Sequence, residues 1–277
     1  MSNAFQRHGI HHLSASTINT FARQPALFVL EKLLKVRTSV GASAHRGTSA
    51  EAGIVKGLLE PDALIEDCQA AALAEFDRRT ALSPDPRKAK EREAVPGIVA
   101  RAIPELRQYG CPDMVQTKIE RTIAGVPVPF IGYVDLGWTE HGITLDIKSQ
   151  LRLSSEISTD HARQVAIYIH GTNHEGRVAY CTPSKIGVYR LENAARHMHD
   201  VTNIAKVMER FLSVSDDPKV LAGIVCPDLE SYYYSNPMTA ALAREAFGFA
   251  HPTPSHLAEV ERSPAAQTVG SVFRGDF

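Results

Sequence analysis

Residues 131–150 read IGYVDLGWTEHGITLDIKSQ, and this stretch decides which fold the chain can adopt. Apolar residues alternate with other residue types on both sides of TEHG (139–142), a pattern typical of two strands joined by a short turn. With TEHG as a four-residue loop, Trp138 faces Ile143, and the antiparallel register of the hairpin follows from that pair. The sequence therefore predicts a β-hairpin at the centre of the fold.

The charged residues of this hairpin are unusual for a half-buried sheet. The register places Asp135 opposite Asp146, and side-chain alternation places Lys148 on the same face as Asp146, while Val134 and Leu136 are expected to point together into the core. Directly opposed like charges are destabilising, so the two carboxylates need a compensating partner. A divalent cation such as Mg²⁺, which is held by one or two carboxylates, would supply it. From the hairpin alone, a metal site and a surface salt-bridge cluster both stay open.

A second Asp-x-Lys triplet shows how weak this motif is by itself. Asp217-Pro218-Lys219 lies in the turn-like segment SDDPKV and has no strand pattern around it. The triplet that begins at Asp146 differs because it lies in an apolar strand and faces another aspartate. Its context, and not the triplet, indicates a functional site.

Composition excludes several classes of protein. The chain has 277 residues, of which 44% are hydrophobic and 22% charged, which is enough for one large core. The formal net charge of −1 gives no overall electrostatic footprint for nucleic acid, so such binding must use local patches. Apolar runs such as ALFVL are far shorter than the roughly 18 residues of a membrane span, so we expect a cytoplasmic protein with no membrane partner.

The cysteines are widely separated in the sequence. None of them forms a CxxC pair, which would suggest zinc, redox or cluster chemistry. We therefore expect isolated buried thiols in a reducing compartment. The four positions are Cys68, Cys111, Cys181 and Cys226.

Helical patterns flank the hairpin on both sides. The N-terminal segment LSASTINTFARQPALFVLEKLLK has helical spacing that is broken at Pro25, so two packed helical pieces are expected. Thr48 or Ser49 is the expected cap of a helix that carries Glu51 in its first turn, where the helix dipole favours an acid. Further helices are expected over 62–80, 87–109, 158–171 and 193–213, and strands over 115–138, 142–150 and 176–192.

These elements together predict an α/β (α+β) fold, with a mixed central sheet flanked by helices and a helical N-terminal part. We expect a single domain over residues 1–250, with a helical insertion at about 62–110. Residues 251–277 are expected to be a polar C-terminal tail.

The helix that follows the hairpin carries a second group of polar residues. Gln164 and Tyr168 are four positions apart and so lie on one face, with His161 one turn earlier on the same side. Ala162 and Val165 can form the buried stripe of this helix. An amide and a phenol directed at a carboxylate pair suit contacts with a phosphate backbone, and a solvated helix face is the alternative.

In combination these residues resemble the PD-(D/E)XK nuclease superfamily, specifically its RecB-like branch and the phage-type exonucleases. Four pieces match in order: the N-terminal LSASTINTFARQPALF, the segment Gly47 to Glu51, the hairpin, and the segment Gln164 to Tyr168. The resemblance covers roughly residues 13–190. Each piece is weak alone, and their order and spacing are fairly specific.

This resemblance implies a restriction-endonuclease-like core and a metal-dependent DNA nuclease. The expected activity is exonucleolytic, in recombination, repair or phage genome processing. One or two Mg²⁺ or Mn²⁺ ions would be held by Asp135, Asp146, the carbonyl of Ile147 and Glu51. Lys148 would orient or activate the attacking water, and Gln164, Tyr168 and His161 would contact the substrate strand.

The sequence also departs from part of this family. Iron–sulfur members have a cysteine where this chain has Gln24, and they have a C-terminal cysteine cluster that is absent here, so no iron–sulfur cluster is expected. The expected partners are DNA, a recombination protein such as a single-strand annealing protein, and further copies of the chain. A catalytically idle DNA-binding or assembly subunit and a structure-specific endonuclease remain as alternatives.

Overall fold

The structure is a computed structural model and describes residues 2–38 and 40–249. The tail predicted at 251–277 lies outside the described residues. The helices are α1 (Ala4–Arg7), α2 (Ala15–Arg23), α3 (Pro25–Phe28), which continues into a π-helical turn (Val29–Leu33), α4 (Ala42–Leu59), α5 (Ile65–Arg79), α6 (Lys88–Leu106), α7 (Thr159–Ile169), α8 (Ala194–Leu212), α9 (Pro218–Ala222) and α10 (Pro237–Ala246). Short 3₁₀ turns span Arg107–Tyr109 and Tyr232–Tyr234, and the strands are β1 (Met114–Arg121), β2 (Phe130–Trp138), β3 (Ile143–Ser149), β4 (Glu175–Cys181) and β5 (Ile186–Arg190).

The five strands form one mixed sheet in the order β1-β2-β3-β4-β5. Strand β2 is antiparallel to both β1 and β3, so these three strands form a meander. Strands β3 and β4 are parallel, and β5 is antiparallel to β4. Two parallel neighbours need a crossover, which α7 provides between β3 and β4. The predicted mixed sheet with flanking helices and a helical N-terminal region is confirmed.

The hairpin has the predicted register. Trp138 pairs with Ile143, and the pairing continues as far as Leu136 opposite Leu145. Gly142 closes the turn with a φ of +60°, a left-handed conformation that glycine adopts without steric cost. The ladder ends just before Asp135. At that point the side chain of Asp135 accepts a hydrogen bond from the backbone N–H of Ile147 in β3.

Two apolar clusters cover the two faces of the sheet. Helices α2, α7 and α8 pack on one face, where Phe130 and Tyr180 are fully buried. Helices α4, α5 and α6 pack on the other face against Leu145 and Ile147. The helices predicted over 62–80 and 87–109 therefore complete the core on this second face.

The start of α4 was predicted incorrectly. The helix begins at Ala42, because Asp85 Oδ2 accepts a hydrogen bond from the backbone N–H of Ala42 at 2.8 Å and supplies the cap from a distant loop. Glu51 consequently lies in the middle of α4, where the helix dipole gives no explanation for an acid. Its carboxylate needs a partner elsewhere in the fold.

The cysteines and the helix lengths bear on two other expectations. Cys68 and Cys181 are buried as expected, but Cys111 and Cys226 are exposed, because both lie in loops directly before a proline. Within residues 2–38 and 40–249, none of the helices combines the length and the apolar character that a membrane span requires.

Candidate active site

Asp146 is the most deeply buried charged group of the hairpin. The residue has 0% relative exposure, and among the described residues no backbone or uncharged side-chain donor reaches either of its carboxylate oxygens. Its Oδ2 forms an ion pair with Lys148 Nζ at 2.7 Å. Buried carboxylates normally accept several hydrogen bonds, so Lys148 alone compensates this one poorly.

Asp135 lies beside Asp146 but is held by donors. Its Oδ2 accepts a hydrogen bond from the backbone N–H of Ile147 at 2.7 Å, and its Oδ1 accepts one from Gln116 Nε2 at 3.0 Å. Burial and the negative charges of Asp146 and Glu51 raise the pKa of Asp135 well above its ordinary value. The shift means that the ionised carboxylates repel one another at this site.

Glu51 reaches the same region from α4. Its Oε1 accepts a hydrogen bond from Gln116 Nε2, so a single amide joins it to Asp135. Burial and the charge of Asp146 raise the pKa of Glu51 as well. Within residues 2–38 and 40–249, no group of three or more aspartate, glutamate, histidine or cysteine side chains is arranged as a ready-made metal site.

Lys148 compensates part of this negative charge. Its side chain is 23% exposed and emerges from β3 on the same side as Asp146. Burial lowers the pKa of Lys148, but the charges of Asp146 and Asp135 raise it by more, so its net shift is upward. Lys148 therefore stays positively charged next to the carboxylates throughout the neutral pH range.

Helix α7 places its polar residues over this carboxylate group. Gln164 Nε2 donates to the hydroxyl of Tyr168 at 2.6 Å, and Tyr168 is almost fully buried against Gly132 of β2. Burial and the charge of Asp146 raise the pKa of Tyr168 to about 12, so its hydroxyl keeps its proton. The alternative that these residues form a solvated helix face does not hold for Tyr168.

His161 is fixed one turn earlier on the same helix. Its Nδ1 lies 2.7 Å from the hydroxyl of Tyr180, and that hydroxyl also accepts a hydrogen bond from the backbone N–H of Ser158, the cap of α7. Burial and the positive charge of Lys148 lower the pKa of His161 to about 4. The imidazole is therefore neutral at physiological pH.

A cleft of about 750 Å³ brings most of the predicted residues together. Its walls include Asp135, Lys148, His161, Gln164 and Tyr168. Asp146 does not line the cleft but pairs with Lys148, which does, and Glu51 is connected to Asp135 through Gln116. Ile147 directs its side chain into the apolar core. The walls also include residues without a predicted role in the site, among them Asn19, Lys118, Tyr133 and Asp160.

Gln116 also had no predicted role. It lies opposite Asp135 in the β1–β2 register, between the pairs Val115–Leu136 and Thr117–Val134, but is not itself paired. The only signal in the sequence is a glutamine at a strand position, and its importance depends on a register that the hairpin does not specify.

The chain matches a known protein family over most of its length. The family model of the PD-(D/E)XK nuclease superfamily matches residues 12–260, and no curated protein matches the chain. A solved structure titled "Crystal structure of SSO0001" is 14% identical with a TM-score of 0.32, covering 66% of this chain and 84% of that chain, a likeness too low to bear on function. Because the family match spans most of its length, the chain belongs to the PD-(D/E)XK nuclease superfamily.

Proposed function

We propose that the protein is a metal-dependent DNA nuclease whose active site is the carboxylate group at the base of the cleft. The observation that carries this proposal is Asp146, a fully buried carboxylate without neutral donors that lies next to Asp135 and pairs with Lys148. A purely structural aspartate would be expected to have donors at this depth. The arrangement suits a bound cation, which would supply the compensation that neutral donors do not.

The residues present fit a hard divalent ion. Asp146 has two oxygens without neutral donors, and Mg²⁺ or Mn²⁺ is bound by one or two carboxylates together with waters and phosphate oxygens. In this proposal Asp135, Asp146, Glu51 and the carbonyl of Ile147 hold the ion. When bound, it lowers the pKa of a coordinated water and stabilises negative charge on the phosphate.

The other residues of the cleft act on the substrate directly. Lys148 remains charged, so its ammonium can orient the attacking water and stabilise the charge that develops on the phosphate. The hydroxyl of Tyr168 accepts a hydrogen bond from Gln164 and keeps its own proton, which it can donate to a phosphate oxygen. His161 is neutral and lines the cleft, where it contacts the strand without adding charge.

We propose DNA as the substrate and exonucleolytic cleavage as the mode, in recombination, repair or phage genome processing. Support comes from the four motifs that match phage-type exonucleases in order. A catalytically idle subunit is disfavoured, because a retired site would gain stability by replacing the buried carboxylate of Asp146. A structure-specific endonuclease is the second candidate, and the open cleft is compatible with it. A single-strand annealing protein and further copies of the chain stay proposed partners.

Cleavage assays with a matched control test the proposal. Wild-type protein, Asp146→Asn and Asp217→Asn are incubated with end-labelled linear, circular and single-stranded DNA in Mg²⁺, Mn²⁺ or EDTA. Asp217 belongs to the second Asp-x-Lys triplet and caps α9 through its side chain, a role that asparagine fills equally well. The control should therefore cleave like the wild type.

The expected result is loss of at least about 100-fold in rate for Asp146→Asn, with DNA binding by fluorescence anisotropy and the circular dichroism spectrum retained. Release of nucleotides from linear but not circular DNA would support the exonuclease. Cleavage of circles would favour the endonuclease. Wild-type cleavage by Asp146→Asn in Mg²⁺ would refute the site, and the absence of metal-dependent cleavage by the wild type would refute the function.

A further inference from the structure

Gln116 is the residue of β1 that contacts two of the three carboxylates. Its Nε2 donates to Glu51 Oε1 and, at 3.0 Å, to Asp135 Oδ1. A carboxamide nitrogen carries two hydrogens, so both are used by these two bonds. One uncharged side chain thereby connects helix α4 to strand β2 at the proposed metal site.

The backbone at Gln116 is shaped for this contact. Its φ is +44°, in the left-handed region that L residues other than asparagine and aspartate rarely occupy. Such conformations persist where the surrounding structure requires them, and they occur often at functional sites.

Both strands change their orientation at this position. In β1, Val115 packs on the α4 side of the sheet and Ile119 on the α7 side, and in β2 the same change occurs between Leu136 and Val134. The expectation that Val134 and Leu136 point into one core is therefore wrong. The left-handed residue coincides with a local rotation of both strands, and the amide of Gln116 reaches the carboxylates at this point.

We propose that Gln116 is a positioning residue of the metal site, which holds the carboxylates of Glu51 and Asp135 beside each other for the binding of a divalent ion. This inference rests on the proposed function. Without the amide, repulsion between the two carboxylates would separate them, and the ion would have to restore their arrangement when it binds. Partners that orient metal ligands in this way typically contribute 10–100-fold to metal affinity.

The test measures metal binding and not turnover. Mn²⁺ is titrated calorimetrically into the DNA-free wild type, Gln116→Met, Gln116→Gly and Asn193→Gly. Methionine keeps the length of the side chain but has no donor, and glycine removes the amide while accepting the positive φ. Asn193 has a φ of +53° at the start of α8, so its replacement by glycine makes the same backbone change outside the cleft.

Both Gln116 variants should bind Mn²⁺ about 10–100-fold more weakly than the wild type, whereas Asn193→Gly should bind like the wild type. Without added metal, the midpoint temperature of thermal unfolding of Gln116→Gly should not lie below that of the wild type. Glycine adopts the positive φ without steric cost, which offsets the two lost hydrogen bonds. Wild-type affinity in Gln116→Met would overturn the positioning role and leave the proposed function intact. Failure of the wild type to bind Mn²⁺ would overturn both.

Discussion

Gly132→Ala should lower the rate of DNA cleavage about 100-fold without replacing any charged or hydrogen-bonding side chain of the site. A Cβ atom at residue 132 would lie 2.6 Å from Cε1 and 3.2 Å from Cδ1 of Tyr168. Carbon atoms in contact are normally about 3.5–4.0 Å apart, so the ring must retreat by roughly 1 Å. That displacement breaks the 2.6 Å hydrogen bond between Gln164 and the Tyr168 hydroxyl.

Two magnitudes follow from this clash. Overpacking of a well-packed core costs about 1–3 kcal/mol of the free energy of unfolding. Displacement of a substrate-positioning group by about 1 Å can lower a catalytic rate about 100-fold. Urea denaturation measures the first quantity, and the rate of nucleotide release from end-labelled DNA in Mg²⁺ measures the second.

Gly137→Ala is the matched control on the same strand. Its Cβ would lie 2.9 Å from Met114 Sδ and 3.0 Å from Met114 Cβ, outside the cleft. This variant should lose stability to a similar extent and retain its cleavage rate. Wild-type cleavage by Gly132→Ala would refute the role of Tyr168. Equal losses of cleavage rate in the two variants would show that the loss of stability alone causes the loss of activity.

Three further changes have expected outcomes. The pKa of His161 is lowered to about 4 by burial and by Lys148, so protonation favours the unfolded chain. The free energy of unfolding should therefore have its full value above about pH 6.5 and fall as the pH drops towards 4, by at most about 1.4 kcal/mol per pH unit. In urea melts, His161→Gln should lack this contribution to the pH dependence. Arg46 and Glu91 form a buried ion pair, so Arg46→Met should cost about 3–5 kcal/mol in urea melts, and the added change Glu91→Leu should recover most of it. Tyr133 is 52% exposed on the cleft, and if it stacks on a base, Tyr133→Ala should weaken single-stranded DNA binding about 5–150-fold in anisotropy titrations while Tyr133→Phe should not.

The hairpin could be predicted from the sequence because its determinants are local. A two-residue periodicity and one turn fixed the pairing of Trp138 with Ile143, although the ladder stops at Leu136 opposite Leu145, before the predicted pair of Asp135 and Asp146. The two carboxylates are still close enough for the charge of Asp146 to raise the pKa of Asp135. The spacing of Gln164 and Tyr168 on α7 is equally local. Periodicity and register therefore sufficed for the part of the candidate site that lies on β2, β3 and α7.

The contacts that complete the site depend on distant segments and could not be predicted in this way. The cap of α4 comes from Asp85, 43 residues after Ala42, so the start of the helix and the environment of Glu51 were misjudged. Gln116 acquires its role from a left-handed backbone and from the β1–β2 register. Neither leaves a periodic pattern in the sequence.

The rate of Mg²⁺-dependent cleavage by Lys148→Met is the most direct test of the central claim. The ammonium of Lys148 forms an ion pair with the buried Asp146, and methionine keeps most of the side-chain volume while removing the charge. Cleavage of end-labelled DNA by Lys148→Met should fall about 100–1,000-fold, while Lys219→Met, in the second triplet, should cleave normally. Wild-type cleavage by Lys148→Met would show that the pair of Asp146 and Lys148 is not the active site.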